Sequence, residues 1–353
     1  LVTGGGFFSP DQALGCGKSG TTARPLSRLL TRRGITAELT GDHSLSSRPM
    51  KRILEPLQQM GADIHADQNR LPIFIKPAKL DGIEYKTPVA SAQIKSAILL
   101  AGLSASGMTT VEETEKSRDH TEIMLSEMGA KLTIQGNSIR LNPSDGKLKP
   151  LDIHIPADPS TAAFFAGAAA YLPGSDLLLT NILANETRTG FFQVLKKMGA
   201  DIEKLNLRKN NGEPVCDYRI RGRQLHAVEI SGSLIPSLID ELPVLAVIAS
   251  CAEGTTTVTN AGELRVKETD RIHAICCNLA AMGVNVEERE DGFSITGPCK
   301  LHGAVVKTWS DHRIAMAFTV AGLAADTQVL LDDPDCIEIS CPDFVELLNQ
   351  VVE

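Results

Sequence analysis

Nothing in the 353 residues approaches the uninterrupted apolar run of about 18 that a membrane-crossing helix needs. The opening "LVTGGG" carries neither the basic end nor the apolar stretch of a secretory signal. It also has no initiator Met, so the expectation is a chain that begins inside a longer protein. No CxxC pair occurs among the eight cysteines, and Cys276 and Cys277 are adjacent within a helical pattern. That spacing does not suit a zinc site and reads as reduced thiols in a cytoplasmic protein or in an organelle kept reducing, with the cytoplasm as the expectation. An excess of positive charge is missing too. The net charge is −8, which argues against a nucleic-acid or anionic-membrane binder and requires any cations that hold anionic ligands to be concentrated locally. Gly17-Lys18-Ser19 looks like the end of a nucleotide-binding loop, but the glycine such a loop needs five residues earlier is absent, since position 12 is Gln12.

What is present is a globular composition, 42% hydrophobic and 22% charged, long enough for two domains. One phrase recurs: "LQQMGADI", "LSEMGAKL", "LKKMGADI" and "LAAMGVNV", with Met60, Met128, Met198 and Met282 spaced by 68, 70 and 84 residues. Each reads as a helix end, a C-terminal glycine and a strand, and each is preceded by a basic helix start. Alternating with these are small-residue helices: "ASAQIKSAILLAGL", "DPSTAAFFAGAAAYL", "DELPVLAVIASCA" and "DHRIAMAFTVAGLA". Apolar on most faces, they should be buried, while the striped "MGA" helices should cover the outside. "GTTARPLSRLLTRRGITAELTGD", with Leu26, Leu29 and Leu30 on one helical face, is the inner half of a further unit. The pattern predicts roughly 70-residue helix–strand–helix–strand units in two pseudo-symmetric α/β domains, 1–154 and 155–353. Three buried-type helices are expected on each side, with the opening portion of the first unit missing.

Polar residues gather at the predicted helix mouths. In "GELRVKETDRIHAICCNLAAMG" the stripe is Ile272, Ile275, Leu279 and Met282. At 100° per residue Glu268 falls in line with it one turn earlier, and Arg271 lies about 60° to one side. A solvated first turn is the ordinary alternative for Lys267, Glu268, Asp270 and Arg271. Asp240 precedes Pro243 and reads either as an N-cap or as an inward carboxylate. "WSDHRIAMAF" puts Asp311, His312 and Arg313 at another mouth, "ASAQIKS" puts Ser91 and Gln93 at a third, and "LTGDHSLSSRPM" and "KSRDHTE" add Arg48, Ser117 and Arg118. Ser19 and Thr21 open a helix start able to attract an anion or merely to cap it. Basic and hydroxyl residues at helix starts in both halves suggest two domains serving one multiply anionic ligand.

The segments "SGTTARPL", "TGDHSLSSRPM", "PVASAQIKSAILLAGL", "RDHTE", "ETRTG", "IDELPVLAVIA", "LRVKETDRI" and "DHRIAMAF" closely resemble those of the 5-enolpyruvylshikimate-3-phosphate synthases, over essentially the whole chain. The resemblance implies two domains of repeated βαβαββ units, an inside-out α/β barrel. It implies transfer of the carboxyvinyl group of phosphoenolpyruvate to the 5-hydroxyl of shikimate 3-phosphate by addition and elimination. A monomer is implied, with no metal or organic cofactor and no nucleic-acid or membrane partner. By position, Asp240 matches the proton acceptor near the 5-hydroxyl, Glu268 the acid/base at the methylene carbon, and Lys267 a cation shared by substrate and proton transfer. Arg48, Arg271 and Arg313 match the phosphoenolpyruvate arginines, with Gly20 and Gln93 beside that ligand. Ser91, Ala92, Gln93 and Ser117, together with Asp240 and Lys267, match the shikimate 3-phosphate set. Gly20, unsubstituted, implies ordinary sensitivity to glyphosate. Three departures stand out. Lys18 replaces the usual Asn, and Ile339 stands where some members have Lys. The family's opening Lys-Ser…Arg segment has no counterpart from Leu1 onward, so a chain extended upstream is expected to turn over faster. The alternatives are the related transfer onto a UDP-amino sugar and a non-catalytic scaffold of the same fold.

Overall fold

The four "MGA" phrases end helices on glycines at positive φ: Gly61 (+86°), Gly129 (+85°), Gly199 (+95°) and Gly283 (+85°). Only glycine adopts that backbone without a Cβ penalty, and this is what turns each helix into the following strand. The computed structural model describes residues 8–32, 35–144 and 148–352; the opening "LVTGGGF" and the side chain of Leu29 lie outside the described residues. The chain divides into two compact units, Leu1–Asp152 and Ile153–Glu353.

In the first unit the elements run β1 (Leu14–Gly15), α1 (Gly20–Arg32), β2 (Ala37–Thr40), α2 (His43–Ser47), α3 (Lys51–Gln59), β3 (Asp63–Ala66) and β4 (Ile73–Lys76). They continue with β5 (Glu84–Lys86), α4 (Ala92–Gly102), β6 (Thr109–Glu112), α5 (His120–Glu127), β7 (Leu132–Gln135) and β8 (Ser138–Leu141). Both sheets have one order, β1-β2-β4-β3 and β5-β6-β8-β7, with the first pair parallel and the others antiparallel. A buried helix makes the crossover between the parallel strands, and an outer helix leads into the closing hairpin. The core runs from Leu39, Leu45 and Met50 to Ile98 and Val111.

The second unit repeats the arrangement: α6 (Pro159–Tyr171), β9 (Asp176–Leu183), α7 (Gly190–Lys197), β10 (Asp201–Asn210), β11 (Glu213–Arg221), β12 (Glu229–Ile230), α8 (Leu242–Cys251) and β13 (Gly254–Val258). Then follow α9 (Arg271–Ala281), β14 (Asn285–Arg289), β15 (Gly292–Gly297), β16 (Val305–Val306), α10 (His312–Gly322), β17 (Leu330–Leu331) and α11 (Phe344–Val351). The order β12-β13-β15-β14 matches that of the first unit, while β10-β11-β9 is a three-stranded antiparallel sheet. The small-residue helices are buried as expected. From Leu242 to Ser250, α8 has no exposed residue, because Ala and Val let neighbouring helices approach on every side. Phe164, Phe165 and Phe344 pack where α6 meets α11, and Phe192 stacks on Tyr218 with ring centroids 4.1 Å apart. Two buried-type helices, α1 and α4, lie in the described part of the first unit, one fewer than expected. Three lie in the second: α6, α8 and α10.

Candidate active site

In the second unit the mouths of α8, α9 and α10 converge on one guanidinium. Arg271 is 1% exposed, and its donors reach three carboxylates. Nε and Nη2 donate to the two oxygens of Asp311 at 2.8 and 3.3 Å, Nη2 also donates to Glu268 at 2.6 Å, and Nη1 donates to Asp240 at 3.3 Å. Burial by itself would lower the Arg271 pKa. Asp311, Glu268 and Asp240 outweigh it and hold the guanidinium above its ordinary value. Around Asp240 two further cations gather: Lys267 Nζ at 3.4 Å and Arg313, whose Nη2 is 4.0 Å from the carboxylate while Nη1 donates to the backbone oxygen at 3.3 Å. Asp158, the N-cap of α6, extends the cluster. Burial pushes its carboxyl up, but Arg188 and Arg313, with the N–H groups of Ser160 and Thr161, together hold it below the usual carboxylate range. Four carboxylates (Asp158, Asp240, Glu268, Asp311) thus interleave with four cations (Arg188, Lys267, Arg271, Arg313).

Local sequence explains how these side chains are aimed. Trp309 and Ser310 both sit at positive φ, +50° and +54°, a conformation that costs non-glycine residues of order 1–3 kcal/mol each. Asp332 holds the turn by accepting from Thr308 N–H and Oγ, and Asp333 accepts from Ser310 Oγ at 2.6 Å. The turn delivers Asp311 as N-cap of α10, with Oδ1 accepting from the Arg313 N–H at 2.9 Å. His312 beside it is driven down to about 4, chiefly by burial, with Arg313 and Arg271 pushing the same way against Asp311. It is neutral at neutral pH, so the cation of this mouth is Arg313.

The first unit builds a smaller constellation. Gln93, in the first turn of α4, accepts from Arg24 and donates to Thr21 Oγ1 at 3.2 Å, tying the mouth of α4 to the "SGTT" mouth of α1. The loop before α1 packs on the turn into α2, where Asp42 N–H donates to Gly17 carbonyl at 3.0 Å. Arg48 closes α2 and donates to Ser44 Oγ at 3.3 Å. A Cβ on Gly20 would stand 3.0 Å from Arg24 Nη1 and 3.6 Å from Leu45 Cδ1, so this glycine lies against both segments. Ser19 caps α1, its Oγ accepting from Thr22 N–H at 3.0 Å, which is the ordinary role for that residue. Ser91 is the N-cap residue of α4 but its side chain makes no capping bond, and Ser117 is buried within the loop before α5.

Several sequence expectations change. Glu268 is not on the helix: α9 begins at Arg271 with Asp270 as N-cap, accepting from His273 N–H at 3.0 Å. Glu268 turns inward because Arg271 draws it, not because it shares the phase of the apolar stripe. Asp240 does not cap α8 either. It lies in a 3₁₀ turn, Ile239–Glu241, which carries its carboxylate to Lys267 and Arg271. Arg24, Asp158 and Arg188 were not singled out in the sequence. "ETRTG" and "DPSTAA" held the signal for the last two, a cap and an arginine in different repeats that only folding brings together.

With this geometry in view, the chain has the enolpyruvyl transferase fold. It superposes on the EPSP synthase of Acinetobacter baumannii with a TM-score of 0.86 and 42% identity, over 97% of this chain and 79% of that one. The enolpyruvyl transferase NikO of Streptomyces tendae shares the fold at 19% identity and a TM-score of 0.73, over 92% of this chain and 74% of that one. Residues 2–348 match the family model described as EPSP synthase (3-phosphoshikimate 1-carboxyvinyltransferase). The chain belongs to this family. It is 48% identical to the 3-phosphoshikimate 1-carboxyvinyltransferase of Thermodesulfovibrio yellowstonii, over 99% of this chain and 83% of that protein. It is 46% identical to that of Roseiflexus castenholzii, over 100% of this chain and 84% of that protein.

Proposed function

We infer that this protein is a transferase that moves the carboxyvinyl group of phosphoenolpyruvate onto the 5-hydroxyl of shikimate 3-phosphate and releases phosphate, in the route to chorismate and the aromatic amino acids. Family membership over residues 2–348 supports the activity. The observation that carries the chemistry is Asp240 held among Lys267, Arg271 and Arg313 with Glu268 on the same guanidinium. Addition of a hydroxyl to an enol phosphate, followed by loss of the phosphate, needs a base at the hydroxyl, an acid at the methylene carbon, and cations for the phosphate and carboxylate that the tetrahedral intermediate carries. Asp240 accepts the proton from the 5-hydroxyl. Glu268 delivers a proton to the methylene carbon and removes one again in the elimination. Lys267, 3.4 Å from Asp240, serves both the shikimate 3-phosphate and the proton transfer.

Arg48, Arg271 and Arg313 hold phosphoenolpyruvate, with Gly20 and Gln93 against it. Ser91, Ala92 and Gln93 at the mouth of α4, with Ser117 behind them, serve shikimate 3-phosphate. The carboxylates paired with Arg271 already fix the direction of its donors, which orients the guanidinium for an anionic ligand. No step in this scheme needs a metal ion or organic cofactor. Small-molecule substrates are its only partners, and the protein acts as a cytoplasmic monomer; among the described residues no helix is long and apolar enough to cross a membrane.

The test is phosphate release from phosphoenolpyruvate with shikimate 3-phosphate or a UDP-amino sugar as acceptor, run on the full-length protein. Release with shikimate 3-phosphate alone is expected. Release only with the nucleotide sugar would overturn the reading.

A further inference from the structure

Lys95 is 0% exposed, two residues into α4 from Gln93, and takes no part in the chemistry above. Its Nζ donates to Glu113 Oε2 at 2.8 Å, lies 2.6 Å from Glu122 Oε1, and reaches the Ser117 carbonyl at 3.4 Å. Glu113 in turn accepts from both donors of Ser117 through Oε1: the backbone N–H at 3.2 Å and the hydroxyl. Four polar residues, all at least 95% buried, therefore tie three elements together: α4 through Lys95, the end of β6 through Glu113 and α5 through Glu122. A second clasp joins the same helices, with Ser96 Oγ 2.6 Å from Thr121 Oγ1.

We infer that this buried cluster is a positioning device for the mouth of α4, and that Ser117 acts through it without touching ligand. This rests on the reading that Ser91, Ala92 and Gln93 meet shikimate 3-phosphate. The first α-helical bond of α4 is donated by Lys95 N–H to the Ser91 carbonyl at 3.2 Å, so whatever fixes Lys95 fixes the turn that presents those three residues. Ser117 itself has nothing left to give a phosphate. Both its donors are spent on Glu113, its carbonyl on Lys95, and a phosphate needs donors. Burying two carboxylates around one ammonium is also a poor way to gain stability, because well-packed apolar side chains of similar volume usually do as well. Glu122 carries the strain of that choice. Burial raises its carboxyl above the ordinary range despite Lys95, and its Oε2 is buried without a hydrogen-bond partner. What the cluster supplies is direction: a short, angularly defined link between a helix mouth and a turn.

The experiment measures the KM for each substrate, kcat, and the thermal midpoint of the full-length protein. Lys95→Met is expected to raise the KM for shikimate 3-phosphate at least tenfold, with the KM for phosphoenolpyruvate and kcat within about threefold, and Lys95→Arg to restore part of the loss. Because Lys95→Met leaves two buried carboxylates and threatens folding, Lys95→Met/Glu122→Leu fills the site with apolar volume. It should melt within a few degrees of the unaltered protein and still bind shikimate 3-phosphate weakly. A folded double variant with unchanged shikimate 3-phosphate KM would overturn the proposal. Ser117→Ala should weaken binding in the natural background but add nothing on top of Lys95→Met, since both act through one network. Fully additive losses would show that Ser117 contacts the ligand directly and would refute its assigned part. If Ser91→Ala and Gln93→Ala leave the shikimate 3-phosphate KM unmoved, it is the parent assignment of the α4 mouth that fails.

Discussion

Replacing Asp311 by asparagine removes one negative charge from a fully buried site while leaving an oxygen that can still cap α10. The change therefore isolates the ion pair from the cap. Arg271 would keep Asp240 at 3.3 Å and Glu268 at 2.6 Å but lose the carboxylate that meets it through two donors, at 2.8 and 3.3 Å. Breaking a buried pair by removing one partner typically costs about 3–5 kcal/mol, and the two remaining carboxylates should hold the loss toward the lower end, about 3 kcal/mol. Asp311→Ala should cost about 1 kcal/mol more through the lost cap on Arg313 N–H. The single tryptophan, Trp309, stands two residues away, so its fluorescence during urea unfolding reports on the unit that contains the cluster. With a urea dependence of about 2 kcal/mol per molar, the midpoint should fall by about 1.5 M for Asp311→Asn, with the slope unchanged. A fall of less than about 0.3 M would mean that Arg271 does not depend on Asp311, and the description of the cluster as one electrostatic unit would be wrong.

Other consequences are open to measurement. Glu268→Gln and Asp240→Asn should each lower kcat by roughly 10²–10⁴-fold while shikimate 3-phosphate affinity changes far less; equal losses in both would reassign these residues to positioning. Gly20→Ala introduces a Cβ 3.0 Å from Arg24 Nη1, which must give by a few tenths of an ångström and so disturbs its bond to Gln93. The KM for phosphoenolpyruvate should rise several-fold and that for shikimate 3-phosphate little, and steady-state kinetics with each substrate varied will tell. His312, held near 4 against about 6.5 in the unfolded chain, is protonated first in the unfolded state. Its contribution to stability is complete above pH 6.5 and is lost as pH falls toward 4, by roughly 3 kcal/mol at most. Thermal midpoints of His312→Asn should accordingly vary less between pH 7 and pH 5 than those of the unaltered protein.

The sequence by itself determined the repeat, the division of helices into buried and outer kinds, and the glycine turns, because these depend on neighbours a few residues away. Periodicity shows which face of α9 is apolar and that α8 is apolar all round, and a positive-φ glycine such as Gly199 acts wherever the rest of the chain lies. It also placed Asp240, Glu268, Arg271 and Arg313 at helix mouths, though the helical phase invoked for Glu268 does not apply, and of the two readings open for Asp240 the inward carboxylate holds and the cap does not. Tertiary structure alone decided the partners. Asp311 reaches Arg271 across 40 residues and Gln93 reaches Arg24 across 69, and Lys95 finds Glu113 and Glu122 only when α4, β6 and α5 pack together. Charges in a sequence carry no direction. Burial removes the water that would otherwise satisfy each one, and only then must every cation be met by a particular carboxylate, so the pairing is settled by which surfaces fold against each other.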